Sequence, residues 1–304
     1  MFAQVIANTI IRAAELGVLA LGVTMIFSVL RFAHFAHGEL AVIGAYAALA
    51  LVMLGLPLIV ACVLAIVITG LVAVLCDRLL IRKIRNAPGL VLLIASIGLS
   101  IFLRHIVAAI WGVEALSFPS VDVKTIDIFG AFVTSLHIWI VVIAAVAMFG
   151  FHAILHHTRL GKALRALSDD KALAQARGIN VERIIPVLWF IVGGYAGLGG
   201  ILIGLETILT PEMGYNIMLA VFSAVILGGI GSVYGAIVGS FIIALAENVL
   251  VAFDWTWLVS VFGLLPVDGP FYVPTGYKIA VSFLIMILAL IFMPRGIMKG
   301  STGD

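Results

Sequence analysis

The sequence predicts an all-α integral membrane protein, a polytopic bundle of about eight to nine transmembrane helices, some of them broken. Three observations predict it. First, 64% of the 304 residues are hydrophobic and only 11% are charged, with a mean hydropathy of +1.29. A typical soluble domain carries roughly a quarter charged residues. So few charges cannot cover so much apolar surface in a soluble fold of this size. Second, the charges are bunched, leaving uncharged runs over 16–30, 40–76, 86–103, 128–158, 184–205, 213–246 and 279–294. A helix needs about 20 apolar residues to cross the hydrocarbon. Third, turn-forming glycines interrupt the longest runs. A soluble enzyme, a disordered chain and a disulfide-stapled secreted module are excluded. The net charge of +2 gives a nucleic-acid partner little electrostatic support. Cys62 and Cys76 lie in apolar stretches without metal-ligand spacing and read as packing residues.

In order, the crossings read as 9–30, 38–55, 57–77, 88–110, 136–157, 184–205, a broken pair across 217–252, and 276–293. The run 40–76 divides at Gly55-Leu56-Pro57, a turn signal. The run 213–246 holds Gly228-Gly229-Ile230-Gly231-Ser232, which is expected to interrupt its helix at depth. The first segment reads as a retained helix, because no small-residue cleavage pattern follows its apolar core. With no linker or low-complexity tract, residues 1–304 read as one membrane domain.

Sidedness follows from Lys and Arg. One loop carries Arg78, Arg82, Lys83 and Arg85. Another carries Arg159, Lys162, Arg165, Lys171, Arg177 and Arg183, and Arg295 and Lys299 follow the last span. These segments are assigned to the cytoplasm, and counting back puts the N-terminus outside. Segments 112–135 and 254–275 fall on the opposite side, with Glu114, Asp122, Asp127, Asp254 and Asp268. Trp255, Trp257, Phe271 and Tyr272 suit an interface.

Three features stand out from the apolar background. Within loop 158–183, Leu160, Ala163, Leu164 and Leu167 recur at helical spacing, opposed by Arg159, Lys162 and Arg165. Ser168-Asp169-Asp170 then offers a cap to a second short helix, with Ala172, Leu173 and Ala176 as its apolar side and Gly178 as its end. The pair reads either as a surface helix resting on lipid headgroups or as a docking arm for a soluble protein, which small alanines favour. The second feature is Arg31-Phe32-Ala33-His34-Phe35-Ala36-His37-Gly38-Glu39. A charge at bilayer depth costs roughly 2.5–3.5 kcal/mol on insertion scales, and Glu39 precedes a long uncharged run. Either this is a short cytoplasmic turn, or a helix begins part-way into the membrane and points its N-terminus at a polar path, with Gly38 turning the chain. His34, His37 and Glu39 lack a further strong ligand for a metal. The third is the glycine-rich segment 228–232 with Gly235 and Gly239. Broken helices are tolerated where freed backbone lines a cavity, and Gly231, Gly235 and Gly239 also suit tight helix packing. Gly193, Gly197, Gly200 and Gly204 read as packing residues. Arg104, Glu206, Glu212 and Glu247 complete the near-membrane charges, with Glu247-Asn248 either flanking a path or at the outer interface. No phosphate-binding loop, nucleophile elbow or His-Glu-x-x-His motif occurs.

Taken together, these motifs resemble the membrane permease subunits of branched-chain amino acid ABC importers, specifically the H-type subunit of the Liv system. The resemblance runs essentially end to end. It rests on Phe35-Ala36-His37-Gly38-Glu39 with Ala45-Tyr46, on Thr158-Arg159-Leu160-Gly161 through Gly178-Ile179-Asn180, and on Leu227-Gly228-Gly229-Ile230-Gly231-Ser232. Such subunits pair with a second related permease, bind two cytoplasmic ATPases that carry ATP-Mg, and receive cargo from a periplasmic binding protein in the bacterial inner membrane. The resemblance therefore implies no catalytic residue, no metal and no cofactor on this chain. It assigns ATPase coupling to Gly161, Ala163, Leu164, Arg165, Leu167, Ala172, Leu173, Ala176 and Gly178. Ala172-Leu173-Ala174 stands where the broader importer motif has Glu-Ala-Ala. It assigns Phe35, His37, Gly38, Glu39, Gly228, Gly229, Gly231 and Ser232 to the translocation path. Similar permeases serve urea, short-chain amides and aromatic acids, so the cargo stays open. A stand-alone channel or carrier would need ion-coupling groups at depth, and few are present.

Overall fold

The computed structural model describes residues 2–119, 123–257, 269–293 and 296–298. Asp122, Asp268, Arg295 and Lys299, used above to read sidedness, lie outside the described residues. Helix α1 spans Phe2–Leu30, α2 His37–Met53 and α3 Leu58–Cys76. The last continues through a π turn, Asp77–Ile81, into a final turn α4, Arg82–Ile84. Then come α5 (Gly89–Trp111), α6 (Ser135–His157), α7 (Arg159–Asp169), α8 (Lys171–Ala176) and α9 (Val181–Glu206). The series ends with α10 (Met213–Gly228), α11 (Val233–Ala252) and α12 (Lys278–Phe292). Among the described residues seven helical segments are long and apolar enough to cross a membrane, and α2 and α10 are shorter apolar helices. This matches the eight to nine crossings read from the sequence.

Helix starts follow side-chain chemistry. Thr134, Thr158, Asp170, Asn180 and Ser232 each accept a first-turn N–H of α6, α7, α8, α9 and α11. Pro57 and Pro88 precede α3 and α5 with an extended backbone. A departure from the all-helical expectation lies between α5 and α6, where β1 (Thr125–Ile128) pairs antiparallel with β2 (Ala131–Thr134). Asp127 Oδ1 accepts the N–H of Gly130 in the connecting turn. The Gln4 side chain ties α1 to this hairpin through both backbone groups of Phe132.

Packing uses small residues, because in lipid an apolar face gains nothing by leaving water and helices pair where backbones can approach. A Cβ on Gly200 would strike the Ala41 carbonyl, and one on Gly44 would strike Gly197. Gly193 sits against Thr69 and Gly70 of α3. Thus α2 and α3 lie close on α9. Between α10 and α11, Gly228 faces the Gly235 carbonyl and Gly239 the Ala224 carbonyl. The close-packing set here is therefore Gly228, Gly235 and Gly239. Gly231 instead takes a positive φ of 86° in the turn, a conformation that suits glycine.

Both basic loops lie at one end of the bundle. Arg82 and Arg85 reach Glu182 at 2.9 and 3.5 Å, and Arg85 also binds Asp77 at 2.9 Å. The α10–α11 break belongs to the same end. Ser28, two residues before α1 ends, donates to the Gly231 carbonyl at 3.2 Å, and the N–H groups of Ile297 and Met298 donate to Leu227 and Gly228. The expected interruption at depth is thus corrected to a turn at the basic end. The run 213–246 shows the break but not its depth, because the turn is built from glycine and serine and no charge marks that end.

Candidate functional site

Beyond Leu30 the chain does not simply turn back. Arg31 adopts a left-handed conformation, φ 58°, and residues 32–36 descend into the bundle. His37 then packs on Gly22 of α1, eight residues before Leu30 and so about 12 Å from the basic end at 1.5 Å per residue. Helix α2 therefore begins part-way into the membrane. The change of direction falls at Arg31 and not at Gly38, which lies inside α2. Its missing side chain has another use, since a Cβ there would strike the Gly214 carbonyl at the start of α10. Two helix N-termini meet at this point.

Helix α5 supplies the depth scale. Gly89 lies beside the Arg31 carbonyl. The Ser96 hydroxyl accepts the Phe35 N–H at 3.2 Å, and the Ser100 hydroxyl donates to Glu39 at 3.2 Å. Ser100 is eleven residues into α5, about 16 Å from the basic end, close to the middle of a hydrocarbon layer about 30 Å thick. The Glu39 carboxylate, with 1% side-chain exposure, is gripped there by Arg104 Nη2 at 2.7 Å and Nε at 3.1 Å. Both Arg104 bonds and the Ser100 bond fall on Oε1, and Oε2 has no partner among the described residues. Arg104 lies over the Tyr215 ring, 5.3 Å from its centre, a favourable cation–π arrangement. One α5 turn nearer the basic end, Phe35 packs against Phe222 of α10 at 4.5 Å.

The sequence points to Glu39 as a path residue and gives no such role to Arg104, Ser100 or Tyr215. A usable signal was present. Glu39 and Arg104 bound nearly charge-free stretches, and opposite charges at membrane depth seek each other. Of the remaining path candidates, His37, Gly38 and Phe35 gather around this pair. Gly228, Gly229, Gly231 and Ser232 do not: they lie at the other end of α10, about 21 Å from Gly214 by helix rise. The described residues hold no cluster of three metal-binding side chains.

The helical arm α7–α8 sits beside that turn. Its Leu164 and Leu167 are buried against the bundle, and Gly161 lies so close to the Leu155 carbonyl that no Cβ fits. Those three anchor the arm, with Ala163 half-buried, while Arg165 points outward. On α8 the apolar side read from the sequence faces away from the bundle. Ala174 is buried, whereas Ala172, Leu173 and Ala176 are exposed, as is Gly178 at the turn. An exposed leucine flanked by alanines is an apolar surface without cover among the described residues. The arm is wired to the re-entrant segment: Arg31 Nη2 donates to the Ser168 carbonyl at 2.6 Å, and Ser168 Oγ donates to the Ser28 carbonyl at 3.0 Å.

A second charge network lies toward the opposite end, about 27 Å from Leu30 by helix rise. Arg12 bridges Glu15 at 3.3 Å and Glu247 at 3.2 Å, Ser282 donates to Glu247, and Lys278 donates to Asn248 at 3.0 Å. The position of Glu247-Asn248, open in the sequence, is fixed here: it ties α11 to α1 and α12.

Among the described residues, seven membrane-length helices and two shorter apolar ones, a buried ion pair and an exposed helical arm joined to it have the architecture of a membrane transport component. The chain belongs to the family described as branched-chain amino acid transport system / permease component, whose model matches residues 5–290. It is 32% identical to the high-affinity branched-chain amino acid transport system permease protein LivH of Escherichia coli K12, over 98% of this chain and 95% of that protein. It is 30% identical to the probable branched-chain amino acid transport permease protein LivH of Methanocaldococcus jannaschii, over 97% and 91%. Among solved structures, PsaBC from Streptococcus pneumoniae in complex with Fab superposes with a TM-score of 0.51 over 97% of each chain at 15% identity, a likeness of fold.

Proposed function

We propose that this chain is the membrane-spanning subunit of an ATP-driven importer for branched-chain amino acids in a bacterial inner membrane. It pairs with a second related permease. Two cytoplasmic ATPases dock on α7–α8, and a periplasmic binding protein delivers the cargo to the opposite face. This chain needs no cofactor of its own, and ATP-Mg is handled by the ATPases. Residues 1–304 act as one permease unit.

The observation that carries this reading is the continuous link from arm to pair. Ala172, Leu173 and Ala176 face solvent, Ser168 grips Arg31, and residues 32–36 lead directly to Glu39. A partner that moves the arm pulls on the segment from which α2 hangs. Movement requires the partner to bind the arm differently in its two nucleotide states, since equal binding shifts nothing. The relatives named for branched-chain amino acids favour that cargo over urea or short-chain amides.

Reconstitution tests it. The chain, co-expressed with a second permease, ATPases and binding protein, is placed in proteoliposomes, and leucine uptake is followed with and without ATP. ATP-dependent uptake that requires the binding protein is expected. Uptake by the chain alone without ATP would establish a stand-alone carrier instead.

A further inference from the structure

We infer that Glu39 and Arg104 form a transient binding station for a zwitterion, the ammonium group meeting Glu39 and the carboxylate meeting Arg104. The inference rests on the importer reading above and names how that path recognises its cargo.

Four observations lead to it. The pair is intrinsically unfinished. Among the described residues all three hydrogen bonds to Glu39 fall on Oε1, while the buried Oε2 has no partner. A buried carboxylate oxygen left without a donor is costly, more so than for a neutral group. An ammonium group supplies that donor. Arg104 uses Nε and Nη2 on Glu39, and its Nη1 takes no part in that grip.

The pair is also at an open side of the chain. Arg104 keeps 22% of its side chain exposed and the Tyr215 beneath it 51%. Glu212, just before α10, and Asn216 on it are exposed beside Tyr215. Helix α5 packs chiefly on α2. Polar side chains at such depth face a bundle interior or a water-filled cavity rather than lipid. In a paired permease this side faces the path.

Charge arithmetic then selects the ligand. Opening an ion pair in a low-dielectric setting exposes two uncompensated charges, a large penalty. A zwitterion inserted between them turns one salt bridge into two and leaves the net charge at zero. Urea or an amide compensates neither charge, and a ligand with only an amine or only a carboxylate leaves one exposed.

Finally, an apolar surface lies at a fitting distance. Ser96 binds Phe35 and Ser100 binds Glu39, one helical turn apart, about 6 Å along α5. The Phe35–Phe222 ring pair therefore sits where the side chain of a small branched amino acid would reach when its charged end meets Glu39 and Arg104.

The test uses the complete complex in proteoliposomes, reading leucine uptake and binding-protein-stimulated ATP hydrolysis together. Glu39→Gln keeps shape and the Ser100 hydrogen bond but removes the charge. Leucine moved per ATP should fall at least about tenfold. A purely structural pair predicts that hydrolysis and uptake fall in proportion, which would overturn the inference. So would an unchanged ratio of leucine to ATP. A second measurement needs no substitution: thermal unfolding of the wild-type permease–ATPase complex with millimolar leucine, leucinamide or 4-methylpentanoate. Protection by leucine alone is expected, and equal protection by either single-charge analogue, or none by leucine, counts against the station. Either failure leaves ATP-driven uptake by the wild-type complex intact. If that uptake is itself absent, the importer reading has failed instead.

Discussion

Single residues decide where this chain departs from an ordinary helix bundle. Arg31 is a non-glycine residue at φ 58°, and such a conformation costs of order 1–3 kcal/mol. Its side chain repays that strain by gripping the Ser168 carbonyl. The two effects can be separated. Arg31→Gly and Arg31→Ala both lose the grip, but only glycine relieves the backbone. We expect both variants to recruit ATPases normally and to lose leucine uptake severalfold, with Arg31→Gly melting at the higher temperature. Equal uptake to wild type in both would remove Arg31 from force transfer. Gly200 offers a cleaner packing test. A side chain there meets the Ala41 carbonyl directly, whereas Gly98 has open space around it. Gly200→Val should lower stability by about 1–3 kcal/mol, the usual range for overpacking, visible as a lower Tm of the purified complex. Gly98→Ala should leave Tm unchanged.

At the scale of elements, the arm divides its labour. Leu164 and Leu167 hold α7 on the bundle, while Arg165, Ala172, Leu173 and Ala176 are presented outward. Arg165→Glu combined with Ala172→Trp should abolish ATPase co-purification and uptake while membrane insertion stays normal. Normal recruitment and uptake in that double variant would sink the docking role. The same elements show what a sequence carries and what it hides. The amphipathic face of α7 was legible because one side meets water and the other does not, so polarity alternates at helical spacing. Helix α8 has six residues, too few for a period to be resolved, and its inward position fell to Ala174. Inside the bilayer the signal fails for another reason. Lipid-facing and core-facing residues are both apolar, so the Ala41–Gly200 contact leaves no pattern, although the lengths of the spans remain readable. The depth of a break is hidden too, because it depends on where a distant segment folds against it. Ser28 and Ile297 locate the α10–α11 turn, and neither is near it in sequence. Glu39 was legible as an anomaly; its partner, 65 residues away, needed the fold.

For the whole molecule, everything depends on which end faces the cell interior. Ten basic residues between 78 and 183 lie in the two loops joined by the Arg82–Glu182 and Arg85–Glu182 pairs. The β-hairpin end carries Lys124 with Glu114 and Asp127. Lys and Arg bias in short loops orients membrane proteins, and here the bias places α7–α8 inside, where soluble ATPases are. Phe129 at the hairpin tip is 99% exposed and Leu173 on α8 is 54% exposed, which makes them probes of opposite ends. The native thiols, Cys62 and Cys76, lie in α3, half-buried and buried, so labelling is read against the unsubstituted protein. Phe129→Cys should therefore react with a membrane-impermeant maleimide in intact cells. Leu173→Cys should react only after the membrane is opened. Because Gln4 joins the hairpin to the start of α1 and Ser28 joins the end of α1 to the arm, the two probes report on one rigid axis and cannot both face the same side. The reverse labelling pattern would turn the molecule over. It would put the docking arm out of reach of any nucleotide-driven partner and leave the buried ion pair without an engine to open it.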